Sequence, residues 1–185
     1  MRSISKIVFL GFILLWMACE VPEDPELDNP IDTNTVPGDT TVALTPALVL
    51  FPADATVNLG FSITVEHFVV AIENLSGAQL RLNYDQNKLE VLSIVAGDVF
   101  ASGMEELFLY EHNASSGTID LYTSYLGDGT TLSVDGSHSF ATINFRTSGG
   151  GDAIVRFEAE SCQLRDPEDN PLIIRRVEEA VIHVE

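Results

Sequence analysis

From Val42 to the end of the chain, apolar and polar residues alternate with a period of two, the repeat of a strand with one buried face. Leu80, Leu82 and Tyr84 alternate with Gln79, Arg81 and Asn83, and Ile119, Leu121 and Thr123 with Asp120, Tyr122 and Ser124. Ala141, Ile143 and Phe145 alternate with Thr142, Asn144 and Arg146, and Val155 and Phe157 with Arg156 and Glu158. Phe61, Ile63 and Val65 keep the same rhythm. Phe68, Val70 and Ile72 resume it one residue out of phase, which predicts a β-bulge or a bend near Glu66 and His67. Turn formers separate the runs, among them Asp85 with Asn87, Gly117, Asp135 with Gly136, Gly149 to Gly151, and Asp166 to Asn170. No helical period competes. The stretch Gly103 to Tyr110 could open with a helical turn, but its second half reads as strand. Many short strands with regular turns predict an all-β sandwich or barrel.

Two segments before Val42 break this pattern. Residues 1–18 have a basic start, Arg2 and Lys6, then an almost unbroken apolar run from Ile7 to Trp16, then Ala18. The run is shorter than the ~20 residues a helix needs to cross a bilayer, and the arrangement is that of a secretory signal peptide. Ala18-Cys19 resembles the bacterial lipobox, which implies that Cys19 is lipid-modified and begins the mature chain. Trp16 stands where that motif usually has Leu, with Leu15 one step earlier. Residues 19–41 continue with Pro22, Pro25, Pro30 and Pro37 among seven acidic residues from Glu20 to Asp39, with no Lys or Arg. Such a segment cannot bury enough apolar area to offset its ordering entropy, so it is expected to be a disordered, acidic tether. Residues 42–185 are then the folded domain. Lipid on Cys19 would hold the protein in the bacterial cell envelope, and acidic residues close behind it resemble signals that send lipoproteins to the outer cell surface.

Charge narrows the function. The 185 residues include 28 acidic and 9 basic ones, a formal charge of −19; losing Arg2 and Lys6 with the leader subtracts two more and leaves −21. Phosphate backbones and anionic headgroups call for cationic surfaces, so nucleic acid is not an expected partner, and the membrane is reached through the N-terminal lipid only. With Cys19 lipidated, Cys162 has no partner for a disulfide and reads as a small half-buried apolar residue. His67, His112, His138 and His183 form no short-spaced pair with each other or with Cys, which leaves zinc unsupported. The loop around His138 holds Asp135 and Ser139, but neighbours on one loop rarely converge as a catalytic triad. Asp128 and Asp166 to Asn170 offer oxygens for calcium, yet turn formation is the commoner role of such residues. No catalytic residues, metal or cofactor are expected.

One stretch is more specific. Gly77-Ala-Gln-Leu-Arg-Leu-Asn-Tyr-Asp-Gln-Asn-Lys-Leu-Glu-Val91, followed by Gly97-Asp-Val-Phe100, resembles the cohesin signature. Gly136 to Phe145 is similar to a later strand of that family, and the hairpin from Cys162 also fits, with Asn170 where the family usually has Gly. The resemblance implies a nine-stranded jelly-roll sandwich of the kind shared by cohesins and some carbohydrate-binding modules. It implies a non-catalytic docking function whose partner is a dockerin, a small calcium-binding helical module.

The strand phase then nominates an interface. If Leu80, Leu82 and Tyr84 face the core, Gln79, Arg81 and Asn83 face outward, and with them Asp120, Tyr122 and Ser124. A polar face with a central aromatic suits a protein partner. Carbohydrate binding is the alternative. Glycan-binding sandwiches stack sugars on exposed Trp or Tyr, and the single Trp leaves with the leader, so that reading would rest on Tyr110, Tyr122 and Tyr125, of which at least one is expected to face the core. A structural envelope role needs no ligand at all.

Overall fold

A computed structural model describes residues 45–102, 105–126 and 133–185. The expected leader, Cys19, the tether, the domain start at Val42, and Asp128 lie outside them. The strands are β1 (Ala47–Phe51), β2 (Asp54–Val57), β3 (Ser62–Leu75), β4 (Gly77–Tyr84), β5 (Leu89–Ala96), β6 (Glu105–Asn113) and β7 (Thr118–Leu126). Then come β8 (Val134–Thr147), β9 (Gly151–Phe157), β10 (Gln163–Arg165), β11 (Pro171–Leu172), β12 (Arg176–Val177) and β13 (Glu179–Val184). Taking β1 and β2 as one strand broken at Pro52, and setting aside the short β10, β11 and β12, leaves the nine strands of the expected jelly roll.

Two sheets form the sandwich. One runs β12-β1-β3-β8-β5 and the other β11-β10-β4-β9-β13-β2, with β7 on the free side of β4 and β6 beyond it. Pairing is antiparallel except where β12 joins β1 and β2 joins β13. The alternating residues named above do what their period predicts. Leu80, Leu82, Tyr84, Ile119, Leu121, Ile143, Phe145, Val155 and Phe157 are buried in one core with Leu48, Leu50, Phe100 and Phe140. Residues 105–113 are strand throughout, so β6 begins where a helical turn was conceivable.

The phase slip in β3 is real, but its cause corrects the assignment of inward residues. Register is lost between His67 and Phe68: His67 pairs with Ala141 and Phe68 with Ser139, so Phe140 is the extra residue, and it belongs to β8. The inward period of β3 therefore continues unbroken through Val65, His67 and Val69, all fully buried. Phe68 and Val70 point the other way and pack with Ala47 and Val49 in a small second cluster. A later irregularity, where Ala71 adopts φ 51°, returns Ile72 to the main core. Phe61, expected inside, is 64% exposed, because it lies in the turn ahead of β3, where the alternation has no sheet to act on.

His67 thus occupies a core position that an aliphatic residue would fill. Its Nδ1 donates to the carbonyl of Ala141 at 3.2 Å, its Nε2 has no partner among the described residues, and its ring meets the Phe157 ring edge-on at 5.9 Å. Burial lowers its pKa from 6.5 to about 4. The folded imidazole stays neutral while the unfolded one gains a proton near pH 6.5, so its contribution is complete above that pH and is lost as pH falls toward 4. The full loss is about 3 kcal/mol. Denaturation midpoints measured from pH 7 to pH 4 should fall more steeply for the wild type than for a His67→Leu variant. Parallel slopes would show that His67 does not carry the effect.

Candidate docking face

The outer surface of the second sheet is built by strand register. In the β4–β7 pair, Gln79 stands opposite Tyr122, Arg81 opposite Asp120 and Gly77 opposite Ser124, while Asn83 stands opposite Thr118 and, on β9, Arg156. Directly opposed residues share a face, and the residues between them fill the core. All six positions nominated from the sequence therefore lie on this one outer face, half-buried by their neighbours. Arg81 grips Asp120 with two hydrogen bonds, Nε to Oδ1 at 2.6 Å and Nη2 to Oδ2 at 3.1 Å, and has Glu158 at 3.8 Å. The bond to Asp120 raises the Arg81 pKa further. A half-buried pair of this kind, open to solvent on the Arg81 side, adds little stability, but it fixes the direction of both side chains.

The sequence reading missed the apolar part of this face. On β6, Leu107 stands opposite Ser124, Leu109 opposite Tyr122 and Glu111 opposite Asp120. Leu107 is 41% exposed and Leu109 58%. Ile154 of β9 adds a further exposed aliphatic group. A signal for the two leucines was available: Leu107-Phe-Leu-Tyr110 is an unbroken apolar run, so on a strand with one face in the core some of it had to face outward. The inner side of β6 is held in place. Phe108 packs on the core, and His112 Nε2 and the Tyr84 hydroxyl share a hydrogen bond at 2.8 Å.

The remaining candidates resolve into structural roles. Asp85 accepts from the Asn87 amide at 3.0 Å and closes the turn after β4. Asp166 accepts from the amides of Glu168 and Asn170 and from the Asn170 side chain, so it organises its own loop. Cys162 is buried, its thiol pKa raised by desolvation, which makes it a poor nucleophile. Ser139 donates to Asp98, while His138 bonds the Asp135 carbonyl, so the serine and the histidine are not coupled to one another. Among the described residues no group of three or more His, Cys, Asp or Glu could hold a metal ion. Tyr125 faces the core, as one of the three tyrosines was expected to.

These two sheets, with their Greek-key pairing and one mixed apolar and polar outer face, define a jelly-roll sandwich module. Residues 49–169 match the description of the cohesin domain, and the chain belongs to the cohesin domain family. Its fold is similar to that of a type II cohesin dyad from the adaptor ScaA scaffoldin of Acetivibrio cellulolyticus (TM-score 0.66, 18% identity), over 75% of this chain and 48% of that one. The chain thus spans about half the length of the dyad. It is similar also to a non-cellulosomal cohesin from the hyperthermophilic archaeon Archaeoglobus fulgidus (TM-score 0.59, 16% identity, 75% and 88% covered). A third similar structure is the sixth cohesin of Acetivibrio cellulolyticus scaffoldin B, in complex with a Cel5 dockerin (TM-score 0.59, 21% identity, 75% and 98% covered). No curated protein sequence matches the chain.

Proposed function

We propose that this chain is a non-catalytic docking module, held at the bacterial cell envelope by lipid on Cys19, and that a dockerin-type protein module binds the outer face of β9, β4, β7 and β6. The observation that carries this reading is the exposed pair Leu107 and Leu109, with the half-buried Tyr122 opposite Leu109, set beside the oriented Arg81–Asp120 pair. Apolar side chains exposed together, bordered by fixed polar groups, are the make-up of a protein interface centre and its rim. Cohesins of similar fold have been captured in complex with dockerins, which supports the same class of partner here. The acidic tether would let the domain reach away from the membrane to meet it.

Calorimetric titration with calcium-loaded dockerin modules encoded by the same organism tests the assignment. At least one should bind, and Tyr122→Ala should weaken it by about 2 kcal/mol, roughly thirtyfold. An Arg81→Glu, Tyr122→Ala double variant that bound as well as the wild type would reject this face. Binding of glycans with no binding of any dockerin would reject docking in favour of carbohydrate recognition. For the anchor, the wild type should fractionate with membranes and a Cys19→Ser variant should not.

A further inference from the structure

Among the described residues, six of the eleven exposed large apolar side chains lie on two strands and the end of a third. Leu92, Val95, Leu107, Leu109, Tyr110 and Leu126 are all more than two-fifths exposed, and they lie on β5, on β6 and at the end of β7. Among the described strands, β5 is one edge of its sheet, with β12 the other, and β6 is one edge of the second sheet. Among the described strands β6 pairs with β7 alone, so one long side of its backbone offers unpaired amides and carbonyls. Edge strands are normally blunted by charge, proline or a bulge, because an unpaired apolar edge is a template for another strand. β5 has such a bulge, between Val91 and Ser93. β6 keeps regular register with β7 over all nine of its residues, and its middle is Leu107-Phe-Leu-Tyr110.

We propose that β6 pairs antiparallel with β6 of a second copy of this chain, about a twofold axis passing beside Leu109. Register selects this centre. Opposed residues must point to the same side if both docking faces are to stay on one side, so the axis has to fall on a residue and not between two. Centred on Leu109, all nine residues pair: Glu105 with Asn113, Glu106 with His112, Leu107 with Glu111, Phe108 with Tyr110, and Leu109 with itself. No acidic position opposes another. Centring one residue earlier sets Glu105 against Glu111, and one residue later leaves Glu105 and Glu106 without partners on the strand. Cross-strand aromatic pairs stabilise antiparallel sheets, and this register supplies two, Phe108 with Tyr110 and its symmetry mate. The result is one continuous sheet in which the second copy adds its own Leu107 and Leu109 next to those of the first. Without Arg2 and Lys6 of the leader each chain carries a formal −21, two below the −19 of the full sequence, so long-range repulsion opposes the association and added salt favours it. The dimer does not depend on which partner the outer face receives.

The test uses the chain from Glu20 to Glu185, which lacks Cys19 and keeps every described residue. Sedimentation equilibrium should show a reversible dimer, tighter at about 0.5 M than at about 0.05 M NaCl. Under mild oxidation Leu109→Cys should form a disulfide-linked dimer, because residues facing each other across antiparallel strands have Cα atoms roughly 4.5–5.5 Å apart, within disulfide reach. Asn113→Cys, on the same edge, should not crosslink, since the two copies of that position would lie eight residues or about 27 Å apart along the strands. Leu109→Lys should remove the dimer while leaving the melting transition in place. A monomer at every concentration up to about 1 mM, a limit near 4 kcal/mol of association energy, would overturn the proposal. So would a dimer that survives Leu109→Lys, or Asn113→Cys crosslinking as readily as Leu109→Cys.

Discussion

A Phe145→Ala variant should lose about 3–5 kcal/mol of stability, the cost of truncating a fully enclosed phenylalanine. Phe145 projects from β8 into the space between the sheets, is completely buried, and meets the Tyr84 ring at a centroid distance of 5.5 Å. Its β-strand neighbours Ile63 and Val91 belong to the same core, so the vacated volume is walled by several strands and cannot close by the movement of one side chain. A domain of this size has a total stability of only about 5–15 kcal/mol, so the variant should unfold at a much lower denaturant concentration or fail to accumulate. Chemical denaturation followed by fluorescence and circular dichroism measures this. A loss below about 1 kcal/mol would mean that the two sheets do not pack through Phe145.

The second large effect concerns a residue with no side chain. Gly97 begins the Gly97-Asp-Val-Phe100 part of the cohesin-like signature, and its φ is unexceptional, so conformational freedom is not the reason for glycine here. Space is. A Cβ at Gly97 would sit only 2.2 Å from the Ser139 carbonyl oxygen and 2.5 Å from its carbon. The close approach is fixed by five hydrogen bonds: the Gly97 amide to the Phe140 carbonyl at 2.9 Å, the Val99 amide to the Ser139 carbonyl at 2.9 Å, the Asp98 amide to Ser139 Oγ at 3.1 Å, the Ser139 amide to Asp98 Oδ1 at 2.7 Å, and the Ser139 hydroxyl to the same Oδ1 at 3.2 Å. This clamp carries the chain from β5 toward β6 and seats Val99 and Phe100 in the core, with Phe100 against Tyr125 at 5.7 Å. Gly97→Val would have to break the clamp or shift backbone, an overpacking cost of roughly 2–3 kcal/mol or more. Ser139→Ala, which removes only the hydroxyl, should cost about 1 kcal/mol. Equal losses for the two variants would show that the clamp depends on the hydroxyl and not on the backbone contact.

Most of this architecture was legible in the alternation. Where a strand has one face in the core and one in solvent, as β4, β7 and β9 have, period two fixes the side chain directions, and the outward set Gln79, Arg81, Asn83, Asp120, Tyr122 and Ser124 followed from it. The reading failed where a strand is covered on both faces or on neither. β3 is flanked by the main core on one side and the smaller Phe68–Val70 cluster on the other, so its apolar residues no longer mark a single direction. The bulge that disturbs its pairing sits in β8, 73 residues further on, and no local pattern in β3 could reveal that. His67 is polar by type and stands at the slip in the pattern, whereas the geometry makes it part of the core. On β6 the unbroken run hid which leucines face outward until the register with β7 assigned them. The docking face was thus half visible: its polar half came from alternation, and its apolar half required the sheet.

A bound dockerin should touch the domain on the outer face of β9, β4, β7 and β6. Methyl-labelled protein observed by nuclear magnetic resonance, with a calcium-loaded dockerin from the same organism added stepwise, reads this out residue by residue. The methyl signals of Leu107, Leu109 and Ile154 should shift or broaden in proportion to the dockerin bound, while those of Ile63, Val70 and Val177, on the other sheet, should stay where they are. Shifts confined to the β12-β1-β3-β8-β5 sheet, or a spectrum unchanged by every such dockerin, would contradict it.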